Sequence, residues 1–447
     1  MTVRRRAYAW VAMVCAAACS IAVAQAQGGT DGFRPPKEHA LPDRFPDKPS
    51  LAPSFSISVT PLGFNAPGAL YLGSRNSLVS LDFIDENRLL FTFHVPGLIH
   101  RRFLAGESAE SDERQIRAIV LALPAGTLEA EGLWTVHDRV RYLWMLKDGH
   151  FLLRDRDGLQ LGDATLDMKP SLRFPGPLLW VELDPSQQYL VTNSYEPSSS
   201  QGKAVEAASP ASATITMDAD EQRSEGQDNA EPPERVVRIL RRESGKVMLV
   251  SRVRSTVHLP INSEGYLENL RGRGLEWVLN LNYFSGGSRI LGQIDSTCVP
   301  SSEFISEKLV LVSACNTTGS RKLEAITTSG RILWQDVNPD TAIWPLIAHS
   351  PDGLRLAQET LAISHRVTAS NPISREDVKG QLVRIFKAAT GEVALETPAS
   401  PALDSGGNVA ISPSGRRVAV LNAGVIQVFD LPAPPALPDV PLEPVDH

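Results

Sequence analysis

Two histidines six residues apart are the first side chains in this sequence that suggest metal chemistry. His94 and His100 lie in the stretch that runs from Phe93 to Arg102. Imidazole binds zinc and related metals, but a metal site also needs further ligands that converge on the same point. Nothing in this spacing provides them, so we expect two solvated histidines on a loop, with a metal site as the alternative. We predict no cofactor.

Two arginines separated by a glycine suggest the binding of an anion. Arg271 and Arg273 alternate with Gly272 and Gly274 just before a strand-like run. Guanidinium groups bind carboxylates and phosphates through paired hydrogen bonds, so the two side chains together could clamp an anionic ligand. Solvated loop arginines are the simpler interpretation, and we keep Arg271 and Arg273 as ligand candidates.

Signatures of catalysis are incomplete. His137 and Asp138 resemble half of a nucleophile-activating pair, but no Gly-x-Ser-x-Gly turn is present to supply a serine. The acidic stretches 82–85 and 155–158 resemble calcium loops with too few ligands, and we interpret them as turns. We therefore predict no catalytic residues.

The cysteines indicate a structural disulfide. Cys15 and Cys19 lie in the N-terminal apolar stretch, which leaves Cys298 and Cys315 as the pair in the rest of the chain. An even pair in an oxidising compartment favours a disulfide, and closing such a loop contributes roughly 3 kcal/mol in the chain-entropy model. A redox-active pair is the alternative, but it usually has the closer Cys-x-x-Cys spacing.

Residues 1–26 have the pattern of a signal peptide. Three arginines at 4–6 precede an apolar stretch, and Ala24-Gln25-Ala26 matches a cleavage site. We expect a periplasmic or secreted protein without a membrane-spanning segment in the mature chain. Lipoprotein anchoring at Cys19 and a twin-arginine signal are the alternatives.

The mature chain is acidic. The formal net charge is −7, and cleavage would remove three arginines and no acid, which gives −10. Because phosphate binding requires a basic surface, we exclude nucleic acid as a partner.

Three segments differ in composition from the rest. Residues 27–53 and the tail 431–447 are rich in proline, and we expect both to be disordered. Residues 196–235 contain nine acids and three bases with few large apolar residues, which is typical of a disordered insertion. Strand-like runs flank this insertion, so we expect it to connect neighbouring strands of one sheet. A surface that binds a partner or a cation is the alternative interpretation.

The elements that must position any site are strands joined by turns, in a repeated unit. A strand, a Pro-Asp-Gly or Pro-Ser-Gly turn and a second strand occur around Asp352 and again around Ser414, 62 residues later. A second turn type ends at Gly330 and at Gly391, 61 residues later. Dividing 54–430, without the insertion, by roughly 40–50 residues per unit predicts about seven four-stranded blades, with six or eight as alternatives.

This pattern predicts an all-β fold, a single β-propeller. The last blade shows only three strands, so we expect the strand-like run 54–60 to supply the fourth and close the ring, which removes an exposed sheet edge. Six tryptophans in strand-like runs are expected to pack between blades. They are Trp134, Trp144, Trp180, Trp277, Trp334 and Trp344.

Two short pieces resemble known propeller repeats. The run from Gly424 to Leu431 is similar to the closing strand of tryptophan-aspartate (WD) repeats, with Phe429-Asp430 in place of Trp-Asp. The run from Leu323 to Trp334 resembles a repeat of pyrroloquinoline-quinone-type propellers. The resemblance implies a propeller with a central channel, in an exported bacterial protein. It does not imply the quinone, because one blade alone matches and no calcium or lanthanide site is recognisable.

These observations favour a binding or scaffold module. We expect its loops to present a surface to a protein, peptide or glycan. The alternative is a propeller enzyme, either a metal-dependent hydrolase or lactonase or a quinone-type dehydrogenase, with its site at the channel mouth.

Overall fold

The computed structural model describes residues 37–40, 45–66, 78–94, 114–136, 141–195, 235–253, 257–366, 373–403 and 407–438. All of them belong to one compact unit, Lys37–His447. They form 28 strands in seven sheets, with two single-turn 3₁₀ helices, Thr60–Leu62 and Arg375–Asp377, as the helices of this part of the chain. The predicted all-β fold is confirmed as a propeller of seven blades.

Two short strands, β1 (Lys37–Ala40) and β2 (Phe55–Ser58), precede the blades. Blade 1 contains β3 (Ser80–Asp85), β4 (Arg88–His94), β5 (Arg114–Ala122) and β6 (Thr127–Val136). Blade 2 contains β7 (Leu143–Met145), β8 (Phe151–Arg154), β9 (Gly158–Gly162) and β10 (Lys169–Arg173). Blade 3 contains β11 (Leu178–Leu183), β12 (Tyr189–Tyr195), β13 (Arg235–Arg241) and β14 (Val247–Val253).

The second half of the ring follows the same order. Blade 4 contains β15 (Gly265–Arg271), β16 (Glu276–Tyr283) and β17 (Ser288–Asp295). Blade 5 contains β18 (Ser301–Ser306), β19 (Leu309–Cys315), β20 (Arg321–Thr327) and β21 (Ile332–Asn338). Blade 6 contains β22 (Ala342–His349), β23 (Arg355–Ile363), β24 (Val378–Lys387) and β25 (Val393–Ala399). Blade 7 contains β26 (Val409–Ile411), β27 (Arg417–Asn422) and β28 (Val425–Asp430).

Each blade is an antiparallel meander whose first strand is innermost. First strands of neighbouring blades contact one another, as β26 contacts β3 and β3 contacts β7. In blade 4 the innermost position is taken by the irregular segment 257–262, which bonds to β15 through the amide of Leu267 and the carbonyl of Pro260, 2.8 Å apart. Pro260 has no amide hydrogen to donate, which explains why this segment is not a regular strand.

The two ends of the propeller share blade 7. Strand β2 pairs antiparallel with β28, with Phe55 opposite Val428 and Ile57 opposite Ile426. The predicted closure of the ring by the N-terminal strand is therefore confirmed, and its regular part is Phe55–Ser58.

The segment before β2 also contacts the outer edges of two blades. Strand β1 adds to β21 in parallel, which gives blade 5 a fifth strand. The amide of Ser50 donates to the carbonyl of Glu396 on β25, at 2.8 Å. We expected 27–53 to contain no folded element, and β1 differs from that expectation. A chain kept extended by proline is already in a conformation that can add to an open sheet edge.

Packing of tryptophans between blades is confirmed for some of the six, among them Trp134, whose ring lies 5.5 Å from that of Phe151 in blade 2. Trp134, Trp144, Trp277 and Trp334 are buried, and Trp180 is half-buried. Trp334 stacks on Phe386 of blade 6, and its indole nitrogen donates to the carbonyl of Ala388 at 2.8 Å. The side chain of Trp344 lies outside the described set.

The predicted disulfide and the two strands that flank the acidic insertion are also present. The sulfurs of Cys298 and Cys315 are 2.10 Å apart, and the bond joins the segment after β17 to the end of β19. Strands β12 and β13 pair as far as Tyr195 and Arg235. The acidic insertion between them lies outside the described residues, as do the predicted signal peptide and the residues of the tail after 438. No helix in the described part is long and apolar enough to span a membrane.

Candidate functional site

The structure describes three of the four ligand candidates chosen from the sequence. His94 ends β4, half-buried and opposite Ile116, while His100 lies outside the described residues. Arg271 and Arg273 are both exposed, and the guanidinium of Arg271 lies 5.7 Å from the ring centroid of Trp277. Roles for these four residues in ligand binding stay predictions.

Charged and aromatic side chains instead gather on the innermost strands. Their members come from six blades, and each one lies on a first strand or directly before it. We call this group the inner cluster: Asp82, Arg141, Trp180, Glu182, His258, Glu303 and His349.

Blade 3 provides an aromatic and an acidic member from one strand. Trp180 and Glu182 lie two residues apart on β11, so their side chains project from the same face of the sheet. The indole nitrogen of Trp180 is 3.5 Å from a carboxylate oxygen of Glu182. A register shift between Leu178 and Trp180 marks a bulge in β11, a feature that redirects side chains at the end of a strand.

Blade 4 contributes a histidine that contacts this tryptophan. The rings of His258 and Trp180 have centroids 3.9 Å apart at an interplanar angle of 50°. His258 belongs to the irregular innermost segment of blade 4, and it is exposed. The aromatic pair therefore has a side that is open to solvent.

Two carboxylates from blades 3 and 5 form the electrostatic centre. Burial first, and then the charge of Glu303, raise the pKa of Glu182 to about 8, against the opposing effects of the hydrogen bond from Trp180 and the charge of Arg141. Glu303 in turn lies 3.8 Å from the imidazole of His349. Blade 4 lies between the blades that carry the two glutamates, so their interaction reaches across one blade of the ring.

Arg141 connects this centre to blade 1. Burial raises the pKa of Asp82, while a 2.5 Å hydrogen bond from Ser80 and the charge of Arg141 favour the ionised form. The guanidinium of Arg141 donates to the carbonyl of Leu143 at 3.2 Å. The cluster thus contains three carboxyl groups, Asp82, Glu182 and Glu303, and one guanidinium group, Arg141.

A buried amide behind Trp180 lacks hydrogen-bond partners. Asn193 on β12 is fully buried, and neither side-chain polar atom has a partner. Asn193 is directly opposite Trp180 in the β11–β12 pair, so both side chains lie on the same face. A buried polar group without a partner costs roughly 1–3 kcal/mol, so this amide requires an explanation.

A metal site and a ligand pocket are two other kinds of site that the described residues could form. No three histidine, cysteine, aspartate or glutamate side chains in the described ranges are grouped to hold a metal ion. A pocket of about 460 Å³ lies at the β3–β4 and β5–β6 turns, and none of its lining residues belongs to the inner cluster. Its charged lining includes Asp85 and Arg88, which pair with each other at 2.6 Å.

From the sequence, Asp82 was considered as part of a calcium-like turn and Trp180 as a packing residue. Glu182 and Glu303 were not selected, although one signal was present. Glu182 is a single charge in the apolar run Leu178–Leu183, directly before a repeated turn, and Glu303 precedes Phe304 and Ile305 in the same way. A single acid in an otherwise apolar strand indicates a side chain that needs a polar surrounding, because an unpaired buried charge is costly.

These observations define the class of protein: a seven-bladed β-propeller with a charged group of side chains on its innermost strands. No protein-family model matches the chain, and no curated protein is similar to it in sequence.

Solved structures show distant likeness. An acylaminoacyl peptidase from Pyrococcus horikoshii is 10% identical with a TM-score of 0.43, over 78% of this chain and 49% of the peptidase, so the match spans about half of that protein's length. TolB from Acinetobacter baumannii is 14% identical with a TM-score of 0.33, over 70% of this chain and 71% of TolB. A chain of a mitotic checkpoint complex is 9% identical with a TM-score of 0.39, over 85% of this chain and 94% of that chain. Likenesses this distant assign no activity and no partner.

Proposed function

We propose that this protein is an exported binding module, and that it takes a protein, peptide or glycan partner at the inner cluster. Export is supported by the signal-peptide pattern of residues 1–26 and is compatible with the Cys298–Cys315 disulfide. Binding is supported by a site that is partly open to solvent and built from several blades.

The observation that carries the proposal is the pair formed by Glu182 and Glu303. Burial and the neighbouring charge of Glu303 raise the pKa of Glu182, and a buried acid held next to a second carboxylate is an arrangement that concentrates at functional sites. Both side chains are half-buried, and His258 beside them is exposed. The free protein therefore holds polar groups in positions that a partner can reach.

A propeller enzyme is the second candidate, and one observation favours it. The carboxyl of Glu182, with its pKa raised to about 8, retains a proton at neutral pH and could act as a general acid. We place binding first because the solvent-open aromatic pair of Trp180 and His258 adjoins the two glutamates.

A panel experiment separates the two candidates. The mature protein and its Glu182→Gln/Glu303→Gln variant are screened against peptide and glycan arrays, and against lactone, ester and quinone-dependent alcohol substrates. We expect binding to at least one array class that is lost in the double variant. Turnover of any substrate that is lost in the same variant would overturn the binding proposal in favour of the enzyme.

A further inference from the structure

We propose that the inner cluster binds the cationic end of a lysine or arginine side chain from a peptide or protein partner, with Glu182 and Glu303 on either side of the charge and Trp180 against its stem. This inference rests on the proposed binding function and names the chemistry of the partner. It also distinguishes the partner from a glycan, which carries no such charge.

The first argument is electrostatic. Glu182 and Glu303 repel each other when both are ionised, which favours the protonated form of Glu182, and Arg141 is the one arginine or lysine within the cluster. Arg141 is held on blade 2 by its bond to the carbonyl of Leu143 and by the ring of Trp144, 5.9 Å away. A cation placed between the two glutamates replaces this repulsion with two attractive interactions in a partly desolvated place.

The second argument is the chemistry of the neighbouring rings. The half-buried Trp180 touches the exposed His258 and offers aromatic surface next to Glu182. Lysine and arginine carry an apolar stem behind the charge, and a cation near an indole face gains roughly 0.5–2 kcal/mol. A site that combines a carboxylate pair with an indole fits such a side chain at both of its ends.

The third argument is independent of the charges. Asn193 is fully buried on the face that carries Trp180, and both of its polar atoms lack partners. Its oxygen accepts hydrogen bonds and its nitrogen donates them, so it matches a guanidinium or ammonium together with a peptide carbonyl. The free protein leaves this amide unsatisfied, which is expected if its partner group arrives with the ligand.

Three small probes test the inference on the mature protein. N-acetyl-arginine methylamide and N-acetyl-lysine methylamide are titrated by calorimetry, with N-acetyl-citrulline methylamide as the neutral isostere of the arginine probe. We expect at least one cationic probe to bind about tenfold or more tightly than citrulline, since a charge-assisted pair is worth that difference. The Glu182→Gln/Glu303→Gln variant should lose this preference, whereas Glu243→Gln, at an 85% exposed side chain, should retain it.

Proton release provides a readout that a purely structural role would not move. The charged groups that act on Glu182 are Glu303 and Arg141. His258 contacts the ring of Trp180, which in turn contacts Glu182. Because the carboxyl of Glu182 retains a proton at neutral pH, a cation must displace it, and affinity should increase between about pH 6 and about pH 9. Calorimetry in buffers of different ionisation enthalpy should detect the released proton for wild type and not for Glu182→Gln.

The outcomes separate this inference from the proposed function. Equal binding of citrulline and the cationic probes, or an unchanged preference in the double variant, contradicts the cationic partner. If the arrays still show binding that depends on Glu182 and Glu303, to glycans for example, the binding function stands and the cationic partner is wrong. If neither arrays nor probes bind, both proposals fail.

Discussion

Replacing Glu182 with glutamine should stabilise the protein, and the gain should grow with pH. An unfolded glutamate ionises near 4.5, whereas the pKa of native Glu182 is raised to about 8. Between these values the unfolded chain releases its proton while the folded chain retains it. The contribution of Glu182 to stability is therefore fully present below about pH 4.5 and is lost as pH rises towards 8.

The size of the effect follows from the shift. Each unit of pKa difference is worth about 1.4 kcal/mol, which gives an upper value of about 5 kcal/mol above pH 8. Glu182 is half-buried, so screening by solvent reduces this, and we expect about 2–3 kcal/mol. Glutamine retains an oxygen that accepts from the indole of Trp180, so the two proteins should have nearly equal stability at low pH.

Urea unfolding of wild type and Glu182→Gln, from about pH 4 to about pH 9, measures this directly. The buried carboxyl of Glu359, with its pKa raised to about 7, affects both proteins equally and cancels in the difference. The exposed control Glu243→Gln should show no such trend. A difference between wild type and Glu182→Gln that stays flat with pH would refute the reasoning and remove the electrostatic basis of the site.

Three further predictions concern the stability of the propeller. Replacing Cys298 and Cys315 with serine should cost roughly 3 kcal/mol in urea unfolding, and added reductant should then have no further effect. Ile57→Asp places a charge in the buried face of β2 and should lower the melting temperature by several degrees, whereas Ser56→Asp on its exposed face should not. Deleting 198–231 should leave the melting temperature nearly unchanged, because β12 and β13 pair without it; a large loss would show that the insertion packs on the fold.

The ring was predictable because its signals are local and repeated. A turn needs particular residues at fixed offsets, so each Pro-Asp-Gly or Thr-Gly sequence between two strand-like runs predicts a hairpin. The fourth strand of blade 7 followed from counting, since a closed ring cannot leave the three-stranded sheet that ends at Asp430 unpaired. Strand β1 was not predicted, because its partner β21 lies almost 300 residues away and Lys37–Ala40 carries no alternating apolar pattern.

The site was not predictable in the same way. Glu182 and Glu303 are 121 residues apart, and each one alone looks like an exposed charge on a strand. Their proximity arises only when seven blades bring the first strands around one axis. The sequence instead draws attention to polar residues that are neighbours along the chain, His94 and His100 and then Arg271 and Arg273, and their roles stay predictions.

The shared blade 7 also determines when this chain can finish folding. The hydroxyl oxygen of Ser54 accepts a hydrogen bond from the amide of Asp430, 376 residues further along. This contact cannot form until Asp430 has been synthesised. Contacts of such separation are slow to form, and until they form, β28 presents an open edge to other chains. Folding speed should therefore depend on how soon the N-terminal segment reaches blade 7. A circular permutant that joins residues 54–60 directly behind Asp430 would make this contact local and should fold faster.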